Sequence, residues 1–234
     1  MTAKNAERLI VALDFSKLDQ ALELAKQLSP LGVGFKAGLE LYMAGGPVLL
    51  AELASRYRVF LDLKFHDIPN TVAAAARTAA ALGIWMLNVH AGGGREMMAA
   101  AREALEKFDN RPILLAVTVL TSMSRQSLIE TGCTDNVVER VCLLSGLARE
   151  CGLDGVICSP LEIGAVKMAT SQDFLTVTPG VRPAGDVIDD QARVATPAEV
   201  VEAGGDYLVV GRPITRAADP LRAAEMIIAE MGGS

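Results

Sequence analysis

The chain has 234 residues, of which 51% are hydrophobic but only 4% aromatic, and it carries a formal net charge of -6. A single α/β barrel commonly takes about 250 residues, so one such domain over residues 1–234 would use the whole length and leave nothing for a second. The acidic balance excludes a broad nucleic-acid or anionic-membrane surface, which needs a summed positive field, though not a local positive site for a small phosphate ester.

Short Val/Ile/Leu-rich runs alternate with amphipathic Ala/Leu/Glu segments, the pattern of βα units. Eight strands are predicted, near residues 9–14, 33–37, 58–64, 85–90, 112–119, 154–158, 174–178 and 206–210. Helices are predicted over Leu18 to Leu28, Pro47 to Tyr57, Thr71 to Leu82, Arg95 to Phe108, Asn136 to Glu150 and Pro220 to Met231. Eight units fit a closed (β/α)8 barrel, whereas a doubly wound open sheet would carry a glycine-rich turn after its first strand. Asp14-Phe15-Ser16 stands there instead.

The first apolar run, Leu9 to Leu13, is broken by Asp14 and falls far short of the roughly 20 residues that span a bilayer, so no membrane association is expected. Cys133, Cys142, Cys151 and Cys158 are spaced too irregularly for a metal or redox motif, and no export signal precedes them. Reduced thiols in a cytoplasmic protein are the expectation.

Barrel active sites lie at the carboxyl ends of the strands, and the polar residues there follow in chain order. Asp14 closes strand one, placed either to accept bonds from sugar hydroxyls or to cap the next helix. Strand two brings Lys36 between Phe35 and Ala37. In strand three, Asp62 and Lys64 share a face by period-two alternation, and Asp67 follows before Ile68-Pro69-Asn70-Thr71 opens a helix. Lys36 beside Asp62 and Lys64 beside Asp67 would make an alternating network of two ammonium groups and two carboxylates, each easing the desolvation of its neighbours. A purely structural ion pair is the competing reading.

Thr121 and Ser122 follow strand five, either to bond a polar base edge or to cap a turn. Strand seven ends in Thr178-Pro179-Gly180-Val181-Arg182 and strand eight in Val210-Gly211-Arg212-Pro213, the two places where barrels often hold phosphate. Gly180 to Thr196, with Gln191 and Arg193, is long for a barrel loop and is expected to act as a lid. His66 and His90 are the only histidines; no third ligand stands at metal spacing, so no metal site is expected and both are read as structural.

The segment Asp62-Leu63-Lys64-Phe65-His66-Asp67-Ile68-Pro69-Asn70-Thr71 resembles the signature of the orotidine 5'-monophosphate decarboxylases. Val11-Ala12-Leu13-Asp14, Phe35-Lys36-Ala37-Gly38, Leu120-Thr121-Ser122, Thr178 to Arg182 and Val209-Val210-Gly211-Arg212 follow in that family's order. The resemblance implies a cofactor-free barrel enzyme in which Lys64 protonates C6, Asp62 and Asp67 flank the substrate carboxylate, and Lys36 orients the charges and touches the ribose. Asp14 and Thr71 would bind sugar hydroxyls or nearby groups, and Thr121 or Ser122 the pyrimidine edge. Pro179 would contact the nucleotide while Arg182, Gln191, Gly211 and Arg212 grip its phosphate. It further implies a homodimer in which Asp67 and the residues after it, Ile68 and Thr71 among them, reach the partner's site. Related barrels that share the Asp-x-Lys-x-x-Asp core, the Mg2+-dependent sugar-phosphate decarboxylases and aldol-type synthases, are the nearest alternative; Pro69-Asn70-Thr71 and Gln191 favour the nucleotide enzyme. A phosphate-ligand binding barrel without activity is a third.

Overall fold

Eight parallel strands close into a barrel in the computed structural model, which describes residues 3–183 and 194–232. They are β1 (Leu9–Ala12), β2 (Gly34–Gly38), β3 (Val59–Phe65), β4 (Met86–His90), β5 (Ile113–Val117), β6 (Gly155–Ile157), β7 (Leu175–Thr178) and β8 (Tyr207–Val210). Each pairs with its neighbours in sequence and β8 closes on β1, through Leu9↔Leu208 and Ile10↔Val209. All eight predicted strands are present, most of them a residue or two shorter. Strands covered on both faces read as continuous apolar runs, as the fully buried Leu9–Ala12 does.

The helices form the outer layer. Leu18–Leu28 buries Ala21, Leu24, Ala25 and Leu28, the i, i+3, i+4, i+7 stripe that faces a core. The helix expected from Pro47 instead runs from Leu39 to Ala54, and Gly46, with φ 58° and ψ -162°, kinks it just before Pro47. Sequence periodicity showed only the second half, because Gly45-Gly46-Pro47 reads as a break. The short helices Arg125–Glu130, Ile163–Ala169, Pro197–Glu202 and Arg212–Thr215 were not predicted. Thr196 and Glu199 do carry a capping box in front of Pro197–Glu202, with Thr196 accepting from the Glu199 amide and the Glu199 carboxylate accepting from the Thr196 amide.

Two packed regions result. The larger fills the space between strands and helices. The smaller lies inside the barrel, where Ile10, Ala12, Phe60, Met86, Leu115, Val177 and Val209 pack together. At the amino-terminal ends of the strands, Trp85 and Tyr207 meet edge to face at 5.5 Å, and the Arg58 guanidinium lies 4.6 Å from the Trp85 ring centre. That end is plugged, which leaves the carboxyl end as the open mouth. Among the described residues no helix is long and apolar enough to cross a membrane.

Candidate active site

A cavity of about 250 Å3 opens at the carboxyl ends of the strands. Its floor is apolar, built by Ala12, Phe60, Val117, Ile157, Val177 and Val209, and its rim is charged. Asp14, Lys36, Asp62 and Lys64 come from the ends of β1 to β3, Thr121 follows β5, and Pro179, Gly180, Arg182, Gly211 and Arg212 follow β7 and β8.

The first four of these form one connected array. Lys36 Nζ is 3.0 Å from Asp14 Oδ1 and 3.4 Å from Asp62 Oδ2, and Lys64 Nζ is 2.7 Å from Asp62 Oδ1. Lys36 and Asp62 are only 12% and 13% exposed at their side chains, so each needs the other's charge. Burial disfavours the Lys36 ammonium, but Asp62 and Asp14 outweigh it and hold its pKa above the ordinary lysine value. Burial likewise disfavours the Asp62 carboxylate; Lys36 and Lys64, with hydrogen bonds from Lys64 and Asn88, outweigh that and hold its pKa below the ordinary value. Both groups therefore stay charged at neutral pH.

Lys36 reaches this position because residue 38 is glycine. A Cβ there would lie 3.0 Å from Lys36 Nζ and 3.3 Å from Asp14 Oδ1.

Lys64 does not follow simple strand alternation. Its φ is 53°, the only positive value at a non-glycine among the described residues. The ladder between β3 and β4 shifts there, from Leu61↔Leu87 to Phe65↔Val89, so three residues of β3 face Asn88 alone. Asn88 is fully buried and bridges the irregularity: its Oδ1 accepts the Lys64 amide at 2.7 Å and its Nδ2 donates to Asp62 Oδ1 at 2.7 Å. Sequence reasoning missed it. The one signal was an amide side chain in a run, Trp85-Met86-Leu87-Asn88-Val89, that is otherwise apolar.

Within one chain the charged array joins Asp14, Lys36, Asp62 and Lys64. Within one chain Asp67 is exposed, does not line the cavity and accepts its own neighbour's amide, from Ile68, at 2.6 Å. The second carboxylate of the array is Asp14, because the chain turns outward after Phe65 while Asp14 faces Lys36 across β1 and β2. Ile68 and Thr71 are also exposed and outside the cavity, Ile68 at 68%. Ser122 is exposed as well: β5 ends at Val117, and the turn in which the Met123 amide bonds the Leu120 carbonyl brings Leu120 and Thr121, but not Ser122, to the cavity.

After β7, Gly180 has φ 81°, the left-handed region that glycine enters without strain. The stems of the Gly180 to Thr196 segment are joined, with Val181 bridged to Ala195 and the Arg182 amide donating to the Ala195 carbonyl at 3.0 Å. Gln191 and Arg193 lie outside the described residues. His66 and His90 stack with ring centres 5.2 Å apart, and His90 Nδ1 accepts the Gly92 amide at 3.2 Å; neither ring lines the cavity. Burial, then the nearby His66 and Lys64, lower the His90 pKa. No group of three or more metal-ligating side chains occurs among the described residues.

A model of the orotidine 5'-phosphate decarboxylase / HUMPS family matches residues 7–227. The chain belongs to this family. The orotidine 5'-phosphate decarboxylase of Chromobacterium violaceum is 53% identical over 226 residues, covering 96% of this chain and 92% of that one. That of Halorhodospira halophila is 52% identical over 235 residues and covers both chains fully. Among solved structures, orotidine 5'-phosphate decarboxylase from Lactobacillus acidophilus superposes with a TM-score of 0.86 at 41% identity, covering 97% of this chain and 100% of that one. The charged array and Arg182, Gly211 and Arg212 line one and the same cavity.

Proposed function

We propose that this protein decarboxylates orotidine 5'-monophosphate to uridine 5'-monophosphate, with Lys64 donating the proton to C6. The observation that carries the reading is the Lys64–Asp62 pair, held at 2.7 Å by a strained backbone at the mouth of an apolar-floored cavity. The nucleotide phosphate sits against Arg182, Gly211 and Arg212, with Pro179 along the nucleotide and Gln191 completing the grip. Thr121 meets the pyrimidine edge, and Asp14 and Lys36 meet the ribose.

Loss of carbon dioxide from C6 leaves an electron pair in the plane of the ring, orthogonal to its π system, so the ring cannot delocalise it. A fixed positive charge supplies what delocalisation cannot. Unit charges about 4 Å apart interact by roughly 4 kcal/mol at an effective dielectric near 20, and an ammonium already in place costs no reorganisation. An N–H bond of Lys64 then breaks as the C6–H bond forms, and solvent restores the lysine proton. Asp62 keeps Lys64 aimed. The apolar floor excludes water, which strengthens each of these interactions. The chemistry calls for no cofactor and no metal.

The exposed Asp67, Ile68 and Thr71 complete the site of a second copy in a homodimer, which gives Asp67 its place beside the substrate carboxylate. The protein works as one domain over residues 1–234, in the cytoplasm, where its four free thiols stay reduced.

The test is the ultraviolet change on mixing purified protein with orotidine 5'-monophosphate in the presence of a metal chelator. Conversion to uridylate establishes both reaction and metal independence. Folded protein that leaves orotidylate unchanged but turns over a sugar phosphate when Mg2+ is restored would replace this reading with the Mg2+-dependent alternative.

A further inference from the structure

We infer that Asn88, a side chain with no route to the substrate, is the positioning residue that sets both the strained backbone of Lys64 and the direction of the Asp62 carboxylate. The inference rests on the reaction proposed above.

The shift between β3 and β4 takes the Lys64 amide out of the regular ladder, and a buried amide without an acceptor costs about 1–3 kcal/mol. Asn88 Oδ1 replaces the missing backbone acceptor at 2.7 Å. The same side chain's Nδ2 donates to Asp62 Oδ1, the oxygen that also accepts Lys64 Nζ. One planar amide thus bonds Lys64 at its backbone and, through Asp62, at its tip. Its orientation is forced by chemistry, since the Lys64 N–H demands an acceptor and the carboxylate demands a donor. Full burial on β4 leaves it a single arrangement. Lysine at φ 53° is uncommon, and such a conformation persists where its surroundings over-determine it.

The charged groups that face Asp62 are Lys36 from β2 and Lys64 from its own strand, with Asp14 beyond Lys36 and Arg182 and Arg212 across the cavity. Asn88→Asp keeps an acceptor for the Lys64 amide but sets a second carboxylate against Asp62, which makes Asp62 easier to protonate.

The experiment measures kcat and KM for orotidylate between about pH 4 and pH 8, together with thermal unfolding, for wild type, Asn88→Asp and Asn88→Ser. We expect kcat to fall roughly ten- to a hundred-fold in both variants, with KM changed much less, because a small displacement of a reacting group is felt in the transition state. The acid limb of kcat moves to higher pH in Asn88→Asp. A merely structural role would lower the melting temperature and leave kcat of the folded fraction unchanged. If Asn88→Asp does not fold, the kcat-against-KM split in Asn88→Ser decides. Wild-type kcat in the folded variants, or a loss matched by the unfolded fraction, overturns the role of Asn88. Wild type inactive on orotidylate would instead overturn the reaction itself.

Discussion

Lys64 Nζ lies 2.7 Å from Asp62 Oδ1 although one residue separates them on β3, and Lys64 makes that contact from a backbone with φ 53°. A strand in regular alternation would aim both side chains into the mouth roughly parallel, about 7 Å apart along the strand. The left-handed residue turns the lysine back onto the carboxylate. Lys64→Ala is therefore expected to keep its fold and its affinity for uridylate while losing nearly all turnover. Calorimetric titration with uridylate beside a turnover assay checks this, and near-wild-type turnover would remove Lys64 as the proton donor.

The opposed pKa shifts of Asp62 and Lys36 give a stability profile with a defined sign. Asp62 is depressed in the folded chain, so its contribution is present above the unfolded value, about 4, and is lost as pH falls through the folded value. Lys36 is raised, so its contribution is present below the unfolded value, about 10.4, and is lost as pH rises through the folded one. Asp62→Asn should be less stable than wild type in chemical denaturation at neutral pH, and the gap should narrow below about pH 4. A gap that keeps its size into strong acid would mean that the carboxylate's charge is not what stabilises.

How much of this was legible before the structure depends on how local each signal is. The strands were legible because a strand buried on both faces is a continuous Val/Ile/Leu run, and Asp14, Lys36, Asp62, Lys64, Thr121, Arg182 and Arg212 were legible as polar residues at the ends of such runs. Asn88 was not, because its task exists only where the ladder of β3 slips against β4, and no period within either strand encodes that slip. That Asp14 joins the array within one chain was hidden for a similar reason. Asp67 is nearer to Lys64 in sequence, whereas Asp14 meets Lys36 through the pairing of β1 with β2.

Asp67, Ile68 and Thr71 stand exposed beside the mouth without entering their own cavity, which motivates a test of exchange between copies. Lys64→Ala and Asp67→Ala variants should each be nearly inactive. Mixed after reversible dissociation, they should regain about a quarter of the wild-type activity, since half of randomly formed dimers are mixed and each of those has one intact site. An inactive mixture that native mass spectrometry of differently tagged chains shows to contain mixed dimers would mean that Asp67 does not act across the interface.

Gly38 separates the site's geometry from the fold's stability. At φ -91° and ψ -174° its backbone is open to any residue, so glycine is not there for conformational freedom. A Cβ would instead meet Lys36 Nζ at 3.0 Å and Asp14 Oδ1 at 3.3 Å, and those atoms end flexible side chains that can retreat at little cost to the core. Gly38→Ala should accordingly change unfolding free energy by no more than about 1 kcal/mol. The retreat has a different cost in the cavity, because moving Lys36 loosens its 3.4 Å contact with Asp62 and with it the carboxylate that aims Lys64. Turnover should fall by roughly ten-fold or more, in line with the sensitivity of catalysis to small displacements. Paired denaturation and steady-state measurements on this one variant check the argument: full activity would show that the array tolerates a displaced Lys36, and a large loss of stability would show that the array helps hold β1, β2 and β3 together.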